Sequence, residues 1–257
     1  MAAPEEPDTP ATEQLQQGLF SHLLELRARL LKAVATIVLV LLALVPFANR
    51  LYSALAAPLV ARLPQGAHLI ATEVTSPFLT PLKLAFYTAL FVSMPVILYQ
   101  LWAFVSPGLY KHEKRLARPL LLASLALFYT GCAFAYFLVL PAAFRFLTAV
   151  TPQGVEMMTD ITHYLDFVML MFFAFGLCFE VPVAVVVLAA VGIVDLQKLR
   201  NGRRYAIVGA FAIAALITPP DITSMMMLGI PMCLLYELGL LAVRWLIKPG
   251  SLRSESD

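Results

Sequence analysis

Six long apolar stretches constrain the fold of this 257-residue chain more than any other feature. They cover residues 30–48, 78–104, 118–140, 164–190, 204–217 and 224–245. Hydrophobic residues make up 61% of the chain, and no water-soluble fold could bury that much apolar surface. Each stretch is predicted to be a helix, because unpaired backbone groups are prohibitively costly in hydrocarbon and no period-two alternation appears. The sequence therefore predicts an all-α polytopic membrane protein with six transmembrane helices.

The Lys and Arg residues lie mostly on alternate sides of these stretches. Fourteen of the 18 precede the first span, fill the second and fourth loops or end the chain: Arg27, Arg29, Lys32, Lys111, Lys114, Arg115, Arg118, Lys198, Arg200, Arg203, Arg204, Arg244, Lys248 and Arg253. The first, third and fifth loops hold only Arg50, Arg62 and Arg145, and Lys83 can extend outward from span two. Because cytoplasmic loops retain positive charge during insertion, both termini are predicted to be cytoplasmic.

The chain ends differ in composition from the membrane domain, which is predicted to occupy residues 13–247. Residues 1–12 and 248–257 are predicted to be disordered tails. Residues 1–26 contain five acids and no Lys or Arg, so no cleavable signal peptide is expected. The three cysteines lie within spans without metal-ligand spacing, and neither a metal, a cofactor nor a nucleic-acid partner is predicted.

Span length and proline positions predict the shape of the bundle. Span five, 204–217, would extend only about 21 Å, which is short of a hydrocarbon core about 30 Å thick. Prolines, each of which removes a backbone donor, occur within or beside four spans at Pro46, Pro95, Pro182 and Pro231. The expected result is a curved, concave arrangement of helices.

Three glutamates are candidate functional residues. Glu180 lies near the middle of span four, where a charge costs about 2.5–3.5 kcal/mol. Either its acid donates to the Cys178 carbonyl that Pro182 leaves free, or it is a polar docking point. Glu25 lies on an amphipathic segment expected along the cytoplasmic interface, where Arg29 could pair with it weakly. Glu113 has no basic neighbour three or four residues away, so it is either available to a ligand or a general interfacial charge.

Five strings of residues resemble the TatC family, the multispan core of the twin-arginine protein translocase. They are His22-Leu-Leu-Glu25-Leu-Arg27, Ser76-Pro-Phe, Trp102-Ala-Phe104-Val-Ser-Pro107-Gly-Leu-Tyr110-Lys-His-Glu113, Phe179-Glu180-Val-Pro182 and Thr218-Pro219-Pro220-Asp221. Together with the six-span layout they make the resemblance specific over roughly residues 18–247.

The resemblance implies a receptor in the cytoplasmic (inner) membrane of a bacterium that binds twin-arginine signal peptides of folded precursor proteins. It would associate with single-span subunits of the TatA and TatB type, with membrane lipids and with further copies of itself, and cargo would cross using the proton-motive force. The residues that match the family's signal-peptide motifs are Glu25, Glu113, His22, Arg27, Phe104 and Lys111. Trp102, Phe104 and Leu109 could receive the apolar residues that follow the arginines.

The resemblance also implies an intramembrane site for a partner helix. Glu180 matches the family's intramembrane acid, and Thr218, Pro220 and Asp221 end the short fifth span. Met225 stands where some relatives carry a polar residue, so hydrogen bonding at this position is not expected. Small and polar groups at such a site favour close helix packing.

Two other classes of protein fit the sequence less well. A proton-coupled small-solute transporter could use Glu180 as a relay with Asp166 and Glu237, but no internal repeat supports it. A metalloprotease would need a second His after His112-Glu113, and position 116 is Leu. The protein is therefore not expected to be an enzyme.

Overall fold

The computed structural model describes residues 10–60, 70–105, 117–150, 160–218 and 222–246, and every regular element in these ranges is helical. Five segments are long and apolar enough to cross a membrane by length and composition. They are Leu23–Leu55, Ser76–Phe104, Arg118–Phe146, Ile161–Ala190 and Met225–Leu246. The predicted class, an all-α polytopic membrane protein, is confirmed.

The first span is built from α1 (Pro10–Leu44) and α2 (Ala48–Val60), joined by a 3-10 turn at Val45–Phe47. Pro46 lies in that turn, where its missing N–H interrupts the helix as the sequence predicts. The amphipathic segment around Glu25 is continuous with span one in α1 rather than a separate helix. The 35 residues of α1 extend about 52 Å, so α1 must tilt or protrude from the hydrocarbon.

The next two spans are α3 (Ser76–Val105) and a composite helix of α4 (Ala117–Phe134), a π-helical turn (Ala135–Val139) and α5 (Leu140–Val150). Span three therefore continues beyond residue 140, where the apolar stretch was expected to end. Pro141 lacks the N–H that an α-helical turn would use, and the wider π turn directly precedes it.

The remaining helices follow the predicted spans closely. Span four consists of α6 (Ile161–Cys178) and α7 (Val181–Ala190), and the chain continues through α8 (Leu196–Asn201), α9 (Arg203–Ile217) and α10 (Ile222–Leu246). The interruption between α6 and α7 falls just before Pro182. Helix α9, which corresponds to predicted span five, has 15 residues and extends about 22 Å, so it is short as the sequence predicts.

Span four lies at the centre of the packing. In its most apolar window 56% of the residues are buried, against 6% in span one. One core cluster joins α6 to α3, α9 and α10 around Leu165, Phe175 and Leu228, and a second joins α7 to α4 and α10 around Val186 and Leu240. Glu180 therefore lies in the most enclosed span of the protein.

Candidate functional site

Two glycines bring α4 and α6 into close contact. A Cβ atom on Gly131 would lie 2.5 Å from the carbonyl oxygen of Phe175, and one on Gly176 would lie 2.6 Å from the ring of Phe128. Real Cβ atoms do not approach other atoms so closely, so only glycine fits at these two positions. The contacts define an α4–α6 seam in which the two helices run antiparallel.

Glu180 lies at one end of the α4–α6 seam, in the interruption before α7. Ser124 is two helical turns before Gly131 on the same face of α4, and its hydroxyl donates a hydrogen bond to Glu180 Oε2. Glu180 Oε1 is buried and has no hydrogen-bond partner among the described residues. The expectation that the acid donates to the Cys178 carbonyl is therefore wrong, because the carboxyl group lies against α4 instead.

Glu25 forms an ion pair within α1. Arg29 Nε donates to Glu25 Oε1 at 3.0 Å, and the two side chains are 24% and 36% exposed for Arg29 and Glu25. This is the pairing that the spacing of four residues predicts. Arg27 is exposed beside it, whereas the side chain of His22, also on α1, lies outside the described part of the structure.

The aromatic residues at the end of α3 differ in their surroundings. Phe104 lies in the last turn of α3 and is partly buried. Trp102 is only 6% exposed and packs in the second core cluster with Leu120 and Val186. The expectation that Trp102 receives apolar residues of a bound peptide is therefore wrong, since its ring is already enclosed. Glu113, Lys111 and Leu109 lie outside the described residues.

At the end of α9, the candidate partner-site residues are only partly described. Thr218 is buried, and its hydroxyl donates to the Ala214 carbonyl at 2.8 Å, which closes the helix. Met225 is partly buried and packs against the first core cluster. Pro220 and Asp221 lie outside the described residues. Within the described part, Thr218 closes the end of α9 and Met225 packs α10 against the first core cluster.

The two further acids that a proton relay would need each belong to an ion pair between helices. Lys83 Nζ lies 3.2 Å from Asp166 and joins α3 to α6, and an Arg203 guanidinium nitrogen lies 2.6 Å from Glu237 and joins α9 to α10. Neither pair includes Glu180. Lys83 thus pairs with a neighbouring helix, which the sequence alone did not indicate.

Among the described residues, no three His, Cys, Asp or Glu side chains gather as metal ligands would.

A polar cluster that sequence reasoning missed surrounds the start of α6. Asp160 accepts hydrogen bonds from the Thr72 hydroxyl at 2.6 Å and its backbone N–H at 2.9 Å, and from the N–H groups of Thr162 and His163. These bonds, that of the Thr72 hydroxyl first, hold the pKa of Asp160 well below its usual range. The available signal was an Asp directly before an apolar run, which is typical of a helix N-cap. Asp160 thereby ties the segment at Thr72 to α6.

We expect Asp160→Ala to lower the unfolding temperature at pH 7, because four donors lose their acceptor. A carboxyl whose pKa is lowered by folding contributes stability above its unfolded value of about 3.9 and loses it as pH falls through the folded value. The parent should therefore lose stability below about pH 4, and the variant should lose less. Thermal unfolding in mild detergent across pH measures both effects. Asp166→Ala, which removes a half-exposed ion pair, is the control, and an equal effect from it would contradict the prediction.

Apolar helices of membrane-spanning length, packed around a partly buried glutamate with one hydrogen-bonded oxygen, define the class as polytopic α-helical membrane proteins. Residues 21–231 match the family described as Sec-independent protein translocase protein (TatC). The chain belongs to this family, which confirms the resemblance that the five sequence strings indicated.

Relatives and solved structures agree with this assignment. The TatC protein of Azotobacter chroococcum mcd 1 is 56% identical over 221 residues, which cover 86% of this chain and 87% of that relative. The TatC protein of Escherichia coli (strain K12) is 52% identical over 239 residues, 93% of each chain. A crystal structure of the twin-arginine translocase receptor TatC is 36% identical with a TM-score of 0.76, covering 88% of this chain and 100% of that one.

Proposed function

We propose that this protein is a twin-arginine signal-peptide receptor and the core component of a translocase that exports folded proteins across the bacterial cytoplasmic membrane. The observation that carries the proposal is the similarity to the crystallised receptor over 88% of the chain, together with the family match. Both termini and the loop that contains Glu113 lie on the cytoplasmic side. The excess of Lys and Arg in these segments supports this orientation. The proton-motive force drives transport.

Signal-peptide recognition uses the carboxylates of Glu25 and Glu113. A guanidinium presents parallel N–H donors that match a carboxylate, whereas a lysine ammonium is a point charge, so paired carboxylates discriminate between them. The Glu25–Arg29 pair does not prevent this, because an ion pair four residues apart on a helix is worth only about 0.3–0.5 kcal/mol. An incoming arginine can replace Arg29. His22, Arg27, Phe104 and Lys111 complete the surface as polar and apolar contacts.

Partner subunits bind in the membrane at Glu180 and at the end of α9. Single-span subunits of the TatA and TatB type insert one helix each, and Thr218, Pro220, Asp221 and Met225 form the neighbouring surface. Further copies of this chain and membrane lipids are the remaining contacts. The buried, half-paired carboxyl group of Glu180 supports this assignment, since a buried polar atom without a partner is costly to leave unsatisfied.

Site-specific photocrosslinking tests the receptor function directly. A photoreactive residue at position 112, beside Glu113, should form an adduct with a radiolabelled twin-arginine precursor in membranes, and the adduct should fall about tenfold or more when both arginines are lysines. The same probe at Arg145, in α5 near the end of span three, is the control and should give no adduct. An equal adduct with the lysine precursor, or none with the arginine precursor, would overturn the proposal. Uptake of a small solute into vesicles would favour the transporter instead.

A further inference from the structure

The α4–α6 seam places Ser124 opposite Glu180 in a fixed register. The two helices run in opposite directions, and their successive contacts are Gly131–Phe175, Phe128–Gly176 and Ser124–Glu180. The two glycines bring the helices close together at this point. Ser124 is 1% exposed, so its hydroxyl is held inside the seam and faces the carboxyl group.

The carboxyl group of Glu180 is only half satisfied in this arrangement. Oε2 accepts from Ser124, whereas Oε1 is buried without a partner among the described residues. Glu180 as a residue is only partly buried, so part of its side chain reaches the surface of the bundle. It also lies between α6 and α7, outside either regular helix. A conformation that moves Oε1 out of this unpartnered buried position, or that brings a donor to it, would be more favourable.

We propose that Ser124 is a positioning residue that holds Glu180 withdrawn against α4 until a membrane helix with a hydrogen-bond donor docks. The donor, an amide or hydroxyl side chain, takes the place of Ser124 as Glu180 turns outward. This inference rests on the proposed role of Glu180 in partner binding and adds to it the residue that controls access. Partner docking is then an exchange of hydrogen bonds and not the insertion of an uncompensated charge.

Carbodiimide labelling measures how often Glu180 leaves Ser124. Dicyclohexylcarbodiimide enters membranes, and the O–H of a carboxylic acid adds across one of its C=N bonds. The resulting O-acylisourea rearranges to a stable N-acylurea. Neither step releases a leaving group or needs a redox partner. The experiment uses the full-length protein in membranes, and mass spectrometry measures the rate of labelling at Glu180. We expect this rate to rise about threefold to tenfold in Ser124→Ala, because one hydrogen bond contributes a factor of that size. Ser124→Cys keeps a weak donor and should give an intermediate rate.

Ser93→Ala is the matched control, because Ser93 is 1% exposed on α3 and its hydroxyl has no partner among the described residues. It removes the same atom without touching Glu180 and should leave the labelling rate unchanged. A rate in Ser124→Ala equal to the parent, or an equal rise in Ser93→Ala, would overturn the positioning role.

Export measured in Glu180→Gln separates this inference from the proposed function on which it rests. Normal export in Glu180→Gln would overturn the docking role of Glu180 and with it the exchange at Ser124. Impaired export in Glu180→Gln, combined with unchanged labelling in Ser124→Ala, would overturn the role of Ser124 alone. Impaired export with faster labelling in Ser124→Ala would support both.

Discussion

Replacing Gly131 with valine is expected to separate α4 from α6 and to leave little folded protein in the membrane. A Cβ at this position would lie 2.5 Å from the Phe175 carbonyl oxygen and 3.0 Å from the Cβ of Phe179. Neither contact can relax easily. The first involves a backbone atom of Phe175, and the second involves Phe179, which is only 8% exposed. Overpacking costs about 1–3 kcal/mol even where a core can adjust, and valine adds two further methyl groups here. Yield after extraction in mild detergent and thermal unfolding measure the loss.

Gly209 on α9 provides the control for this change. Nothing lies within 4 Å of a Cβ built on Gly209, so valine meets open space there. The same substitution in a helix of the same protein should therefore leave yield and unfolding temperature close to those of the parent. If Gly131→Val were as stable as Gly209→Val, the α4–α6 seam would not be the close contact that the structure shows.

Replacing Glu113 with alanine is expected to weaken signal-peptide binding about tenfold to a hundredfold, since hydrogen bonds to charged groups contribute about 1.5–3 kcal/mol. Glu25→Ala should weaken it in the same way, and Glu113→Asp should keep part of the affinity. The Glu25 substitution should scarcely affect folding, because Glu25 loses only a partly exposed ion pair within one helix. Titration of a labelled twin-arginine peptide into solubilised protein measures the affinity.

Arg29→Gln distinguishes recognition by Glu25 from a simple ion pair within α1. If Glu25 served only to pair with Arg29, removing either partner would have the same effect on binding. We expect instead that Arg29→Gln binds the peptide at least as tightly as the parent, because it frees the carboxylate. Unchanged affinity in Glu25→Ala would remove Glu25 from the binding site.

The helices could be predicted because the physics of a bilayer acts locally along the chain. Hydrocarbon requires each spanning segment to satisfy its own backbone hydrogen bonds, so apolar length alone determined where helices form, including the short α9. Pro46 and Pro182 interrupt their helices through a missing donor in the same segment. The Glu25–Arg29 pair was also foreseeable, since it lies within one turn of one helix.

Contacts between helices could not be predicted in this way, because they join residues far apart in the sequence, as at Trp102. Its ring was expected to be available to a peptide, but Val186, far along the chain on α7, helps enclose it. The pairings of Ser124 with Glu180, Lys83 with Asp166 and Thr72 with Asp160 join residues 56, 83 and 88 positions apart. Glu113 stays a prediction from its motif.

The sequence by itself thus determined where the spanning helices lie and which side chains are unusual for a membrane, but not how far α1 and span three extend. Only the tertiary structure decided which of those side chains meet. The physical reason is that the register between two helices depends on how closely their backbones approach. At the α4–α6 seam that approach is set by Gly131 and Gly176, whose missing side chains bring Ser124 to the carboxyl group of Glu180.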